Sequence, residues 1–200
     1  MGYPATVDVL ELRRGNMNIP NLITIGRILL VPLTVWLIIS EAFGFAWLAF
    51  VAAGVSDGVD GYLARRLNQR SELGAYLDPL ADKALMVSIY VSLGFLKLLP
   101  AWLVILVVSR DILIVGAVIL AWVISKPMPV VPLMVSKVNT AAQIVFAALV
   151  LGVLALDLKL EAALLAMMVV VAVLTAASGA LYLREWVRHM SKPETGEGSI

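Results

Sequence analysis

Residues 57–82 read Asp57-Gly58-Val59-Asp60-Gly61-Tyr62-Leu63-Ala64-Arg65, then eight further residues, then Gly74-Ala75-Tyr76-Leu77-Asp78-Pro79-Leu80-Ala81-Asp82. Four aspartates therefore stand inside or at the edge of two long apolar stretches. Asp57 and Asp60 are three apart, Asp78 and Asp82 four apart, so each pair occupies one face of a helix. An aspartate at the centre of a lipid-facing helix costs about 2.5–3.5 kcal/mol on insertion scales, so all four require partners.

If the two stretches run antiparallel, residues at one depth have numbers with a constant sum. Asp57 with Asp82 gives 139, Asp60 with Asp78 gives 138 and Arg65 with Gly74 gives 139. The aspartates can then face one another as two rungs, about 12 Å inside the helix ends at a rise of 1.5 Å per residue. Like charges that close raise each other's pKa, so cations are needed to keep the carboxylates ionised. Oxygen-only ligands choose Mg²⁺, Mn²⁺ or Ca²⁺. Four of them suit a two-ion site, which stabilises the attacking and leaving oxygens of a phosphoryl displacement. Gly54, Gly58, Gly61, Ala64, Gly74 and Ala75 keep the surroundings small, either for close helix packing or for a ligand to approach.

The rest of the chain explains why these charges are so conspicuous. Of 200 residues 62% are hydrophobic and 14% charged, with mean hydropathy +0.98, against roughly 45–50% and 25% in soluble domains. An apolar-cored soluble fold is excluded, and at about 20 residues per crossing the length allows little besides membrane spans. Apolar runs near 21–40, 44–65, 74–95, 101–124, 138–157 and 161–186 predict an all-α integral membrane protein of six transmembrane helices. Residues 18–190 form its single domain. A short N-terminal interfacial helix is expected within the cytoplasmic 1–17 segment, and a disordered tail over 191–200.

Eleven basic residues (Arg13, Arg14, Arg27, Arg65, Arg66, Arg70, Lys126, Lys137, Arg184, Arg188 and Lys192) fall on one side. Only Lys97 and Lys159 fall on the other. The positive-inside rule then puts both termini in the cytoplasm. Lys83 and Arg110 lie within spans. The first span follows mostly polar residues and reads as retained rather than as a cleaved signal. Without a transit segment rich in Arg and Ser, a bacterial cytoplasmic (inner) membrane is the expected location. A net charge of +1 with no basic face excludes nucleic-acid binding. The absence of cysteine excludes thiol nucleophiles and Fe–S clusters, and the single His189 cannot build a zinc site. No internal repeat supports an inverted-repeat transporter.

The pattern Asp57-x-x-Asp60-Gly61-x-x-Ala64-Arg65, eight residues, Gly74-x-x-x-Asp78-x-x-x-Asp82 resembles the signature of the CDP-alcohol phosphotransferase (CDP-alcohol phosphatidyltransferase) family, with every fixed position filled. The resemblance runs from about Asn18 to His189. It implies six transmembrane helices forming a homodimer, and a metal-dependent transfer from a CDP-linked donor to an alcohol with release of CMP. By it, Asp57, Asp60, Asp78 and Asp82 hold two divalent cations, Mg²⁺ or Mn²⁺, and Asp82 also takes the proton of the incoming hydroxyl. Gly61, Ala64, Arg65 and Gly74 match positions beside the cytidine diphosphate.

Asn18-Ile19-Pro20-Asn21, Leu77 to Lys83, Ser109-Arg110-Asp111 and Ser136-Lys137-Val138-Asn139-Thr140 look like the branch of cardiolipin and phosphatidylglycerolphosphate synthases, which use CDP-diacylglycerol. Ser136 and Asn139 are closer to the eukaryotic-type cardiolipin synthases. The implied acceptor is therefore phosphatidylglycerol, with glycerol 3-phosphate as the alternative. Either carries a phosphate that Arg110 and Lys137 could grip. The bland alternatives are an ion pair between Arg110 and an aspartate of another helix, and snorkelling of Lys137 to headgroups. Asp111 points about 100° away from Arg110 on the helix and is not its expected partner. Trp47 and Trp102 are expected as interface anchors. A cation channel or transporter would also explain buried carboxylates, but not the Gly-Ala-Arg spacing after them. A non-catalytic scaffold would need none of them.

Overall fold

The computed structural model describes residues 19–67, 72–123 and 134–190, and leaves aside the side chains of 19–25, 27, 57, 59–67, 72–80, 117–123, 189 and 190. The expected interfacial helix within 1–17 and the 191–200 tail lie outside the described residues. Six α-helices follow in order: α1 Ile19–Ile39, α2 Phe43–Leu67, α3 Glu72–Phe95, α4 Ala101–Val123, α5 Met134–Ala155 and α6 Glu161–Met190. No strand occurs among the described residues.

Helix boundaries follow chemistry that hydropathy alone does not see. Pro20 occupies the first turn of α1, where its missing N–H costs nothing. α5 begins at Met134, four residues before the apolar run, because Ser136 and Lys137 are helical although polar. At their other ends α1, α3 and α5 stop alike, two residues before a left-handed residue: Glu41 at φ 58°, Lys97 at φ 58° and Asp157 at φ 48°. The N–H groups just beyond reach back over the last turn, from Ala42 to Leu37 O (2.9 Å), Leu98 to Leu93 O (2.9 Å) and Leu158 to Val153 O (3.0 Å). These are Schellman closures made without glycine.

The helices form a ring in the order α1, α2, α5, α6, α4, α3, each packed on the next and α3 back on α1, with α3 also touching α5 across the middle. Among the described residues the backbones of α2 and α3 do not pack together: α1 lies between them on one side and a cavity on the other. Ile38, Ala46, Phe50, Leu85, Ile89, Leu93, Leu103, Phe146, Leu151 and Val171 make the core. Across its centre the Tyr90 hydroxyl donates to the Gln143 carbonyl at 3.1 Å, and its ring lies 6.4 Å from that of Phe146. α3 and α4 meet closely at Gly94, where a Cβ would stand 2.8 Å from Val104 Cγ2.

Outside, the bundle is apolar: Trp36, Phe45, Phe95, Ile105, Ile112, Leu165 and Val173 are all exposed. Water does not tolerate so much contiguous apolar surface, whereas acyl chains do. Two helices, Met134–Ala155 and Glu161–Arg188, are long and apolar enough among the described residues to cross a bilayer, with Ile28–Ile39 and Phe43–Ser56 as shorter apolar stretches. The chain is thus an all-helical membrane protein, and two of the six expected crossings meet that test.

Candidate active site

A cavity of about 330 Å³ opens between α2, α3, α4 and α5. Phe50, Val51, Ala53, Gly54 and Val55 line it from α2, and Asp82, Lys83, Leu85 and Met86 from α3. Asp111 comes from α4, and Thr140, Gln143, Ile144 and Ala148 from α5. The equal-depth rule carries over to this wall, since Gly54 with Leu85 and Ala53 with Met86 share the constant sum of Asp57 with Asp82. α2 and α3 therefore face each other across a space rather than in contact. Gly54 and Gly58 match that, because a Cβ on either would meet nothing within 4 Å. At these two positions smallness leaves room and does not serve helix packing.

Of the residues singled out in the motif, Asp82 is on the cavity wall. The backbones of Asp57, Asp60, Gly61, Ala64 and Arg65 belong to α2, and those of Gly74 and Asp78 to α3. Their side-chain contacts lie outside the described residues, among which no cluster of three or more metal-ligating side chains occurs. As a donor set, four carboxylates with no sulfur or imidazole match hard divalent ions. A divalent-cation requirement is general in the family to which the motif points.

A polar cluster runs inward from the wall, starting at Lys83, Asp111 and Gln143. Asp111 Oδ1 accepts from Arg110 Nη1 at 2.7 Å and pairs with Lys83 Nζ at 2.7 Å. Arg110 Nη2 donates to Ser136 Oγ of α5 (2.6 Å) and Ser178 Oγ of α6 (2.7 Å). One turn on, Thr175 Oγ1 donates to Asn139 Oδ1 at 2.8 Å and accepts from Gln143 Nε2 at 3.2 Å. Each unmet polar group in such an interior costs several kcal/mol, so the cluster ties α3, α4, α5 and α6 together.

Several expectations change here. Asp111 is the partner of Arg110 after all: the Cα–Cβ directions diverge by about 100°, but a buried guanidinium on a long stem turns back to a carboxylate that balances it. Arg110 is buried, its Nη1 and Nη2 directed to protein groups and its Nε without a partner among the described residues, while Lys137 is exposed on α5. Lys137 sits one turn before Thr140 and two before Ile144, on the stripe of α5 that lines the cavity. Ser136 and Asn139 point into the α4–α5–α6 interior. Trp47 is no interface anchor: its Nε1 donates to Ala148 O of α5 at 3.2 Å and lies 3.2 Å from where a Cβ on Gly152 would stand. Trp102 is exposed. Lys83, Asp111, Gln143, Thr175 and Ser178 carry no role in the sequence reading. A signal did exist for the first two, since a lysine inside a span demands an acid and Asp111 is the acid within the next span.

Comparison with known proteins follows the same motif. The family model "CDP-alcohol phosphatidyltransferase" matches residues 17–184. The chain is 38% identical to the cardiolipin synthase (CMP-forming) of Homo sapiens over 154 residues, 69% of this chain and 51% of that protein. It is 38% identical to that of Rattus norvegicus over 147 residues, covering 66% and 49%. With a chloroplastic CDP-diacylglycerol–glycerol-3-phosphate 3-phosphatidyltransferase of Oryza sativa subsp. japonica it shares 37% over 153 residues, covering 68% and 46%. The chain spans about half the length of these relatives. With the family model covering most of its length and every fixed position of the motif filled, the chain belongs to the CDP-alcohol phosphatidyltransferase family.

Proposed function

We propose that the protein transfers the phosphatidyl group of CDP-diacylglycerol to a hydroxyl of phosphatidylglycerol, giving cardiolipin and CMP. The observation that carries this is Asp82, last aspartate of the motif, on the wall of a cavity that α2 lines with apolar side chains and α5 with Ile144 and Ala148, beside the polar groups of Lys83, Asp111, Thr140 and Gln143. A lipid headgroup can reach the carboxylate there while its chains remain among apolar groups. The cardiolipin synthases among the relatives support the same acceptor.

Asp57, Asp60, Asp78 and Asp82 would hold two divalent cations, Mg²⁺ or Mn²⁺, which supply Lewis-acid stabilisation of charge on the phosphoryl oxygens. Asp82 accepts the proton of the attacking hydroxyl. That oxygen bonds to the phosphatidyl phosphorus, the bond from this phosphorus to the CMP oxygen breaks, and CMP leaves. Gly61, Ala64 and Gly74 let the nucleotide approach, and Arg65 meets its phosphate. Lys137, at the mouth of the α5 stripe, serves the acceptor phosphate, with Arg110 behind it through Ser136.

The six helices cross the membrane with both termini cytoplasmic, as the distribution of basic residues favours, and two copies form a homodimer. The relatives include animal and chloroplast proteins and also mycobacterial ones, so similarity alone does not single out a bacterial cytoplasmic membrane. A second reading, phosphatidylglycerolphosphate synthesis from glycerol 3-phosphate, is favoured by the rice relative at nearly equal identity.

The test is CMP release and lipid product from the purified protein with CDP-diacylglycerol and Mg²⁺ or Mn²⁺, offering phosphatidylglycerol and glycerol 3-phosphate in separate reactions. Cardiolipin from phosphatidylglycerol alone is the expected result. Product from glycerol 3-phosphate alone would move the protein to the second reading. No CMP with either would return attention to ion conduction.

A further inference from the structure

The cavity wall carries a cation that the motif does not use. Lys83 lines the cavity, its side chain 36% exposed, and its ammonium is held at 2.7 Å by Asp111, whose side chain is 5% exposed. The same Oδ1 holds Arg110. Two cations thus share one carboxylate, and an uncompensated charge is expensive in a poorly hydrated interior. Asp82, the next residue along α3, belongs to the metal-ligand set if the proposed function is right. A phosphate entering the cavity would bring further negative charge to this pair of cations.

The two cations differ in what they can still offer. Arg110 is buried and does not line the cavity: its Nη1 is on Asp111, its Nη2 is shared between Ser136 and Ser178, and its Nε is enclosed without a partner among the described residues. An ammonium has three N–H groups, and the contact with Asp111 leaves Lys83 donors for the cavity. As a point charge on a flexible stem, lysine suits phosphate.

We propose that Lys83 binds a substrate phosphate in this cavity, and that Asp111 is its positioning residue, braced in turn by Arg110. This rests on the phosphatidyl-transfer reading for the identity of the substrate. The phosphate belongs either to the diphosphate of the donor or to the acceptor. Asp111 touches neither and acts by fixing the height and direction of the ammonium.

The experiment compares the full chain with Lys83→Met, Asp111→Asn, Asp111→Glu and the double variant Lys83→Met/Asp111→Asn. KM and kcat are measured with donor and acceptor varied in turn. The shift of the thermal unfolding midpoint on adding CDP-diacylglycerol, phosphatidylglycerol or glycerol 3-phosphate is the second readout. Lys83→Met is expected to raise one KM about tenfold, more than it lowers kcat, and to abolish the matching thermal shift. The substrate whose KM moves identifies the phosphate. Asp111→Asn should raise the same KM less, Asp111→Glu should recover part of it, and the double variant should be no worse than Lys83→Met. If Asp111→Asn does not fold, Lys83→Met and Asp111→Glu decide.

Unchanged KM values and thermal shifts in Lys83→Met would overturn the inference while leaving the reaction intact. An unmutated protein that does not turn over, yet is stabilised by one ligand through Lys83, would keep the site and remove the reaction. Neither turnover nor stabilisation by any ligand would overturn both.

Discussion

Arg110 and Asp111 are consecutive on α4, and the guanidinium Nη1 of the first still donates to Oδ1 of the second at 2.7 Å. The contact takes up one end of the guanidinium, and Ser136 and Ser178 take up the other, so one side chain binds three helices. Removing the guanidinium leaves Asp111 with Lys83 but takes the donor from half-buried Ser136 and buried Ser178, each unmet group costing about 1–3 kcal/mol. Arg110→Met should lower the thermal unfolding midpoint strongly in detergent. Arg110→Lys should lower it less, since an ammonium can meet Asp111 but cannot span both serines. Ser178→Ala should cost only about 1 kcal/mol. Equal losses in the three variants would refute this division of labour.

Gly94 lets α3 approach α4 where Val104 fills the gap. A valine has one strongly preferred rotamer on a helix and cannot swing clear. Gly94→Ala should therefore destabilise by about 1–3 kcal/mol. Adding Val104→Ala should restore part of the loss, which a thermal-melt cycle over the four proteins would read.

Lys97 closes α3 at φ 58°. An L-residue pays roughly 1 kcal/mol or more for that conformation and glycine does not. Lys97→Gly should raise the unfolding midpoint without changing turnover, because the residue is exposed at the end of the bundle remote from Asp82. A lower midpoint would mean the lysine makes a stabilising contact that outweighs its backbone cost.

Asp82→Asn keeps the shape of the side chain and removes its charge. It should abolish CMP release while leaving the unfolding midpoint within about 1 kcal/mol of the unmutated protein, the range of most non-core substitutions. Chelation with EDTA should likewise stop turnover, and Mg²⁺ or Mn²⁺ should restore it. Near-normal release of CMP by Asp82→Asn would take Asp82 out of the proton-accepting role.

Much of the architecture is legible along the chain because lipid leaves so few choices. Six apolar runs became six helices with ends displaced by a few residues, since a backbone in hydrocarbon must bond to itself. The largest displacement, at Met134, arose where polar Ser136 and Lys137 are helical without being apolar. The spacing of Asp57, Asp60, Asp78 and Asp82 singled out the family by local pattern alone, as helical periodicity is a property of neighbours in sequence. It also implied that α2 and α3 face each other, and the cavity between Gly54 and Leu85 agrees.

What periodicity could not supply is the order of helices around the ring and the choice of partner for each buried polar group. That α1 separates α2 from α3, that Trp47 reaches Ala148, and that Asp111 serves both Lys83 and Arg110 depend on residues 28 to 101 positions apart or on a side chain bending against its own helix direction. Composition and spacing determined that this chain is helical, apolar enough for lipid and supplied with the four aspartates of its family's motif. Only the tertiary structure decided which partner each buried charge has, because in an interior without water a charge takes whichever partner packing brings within reach.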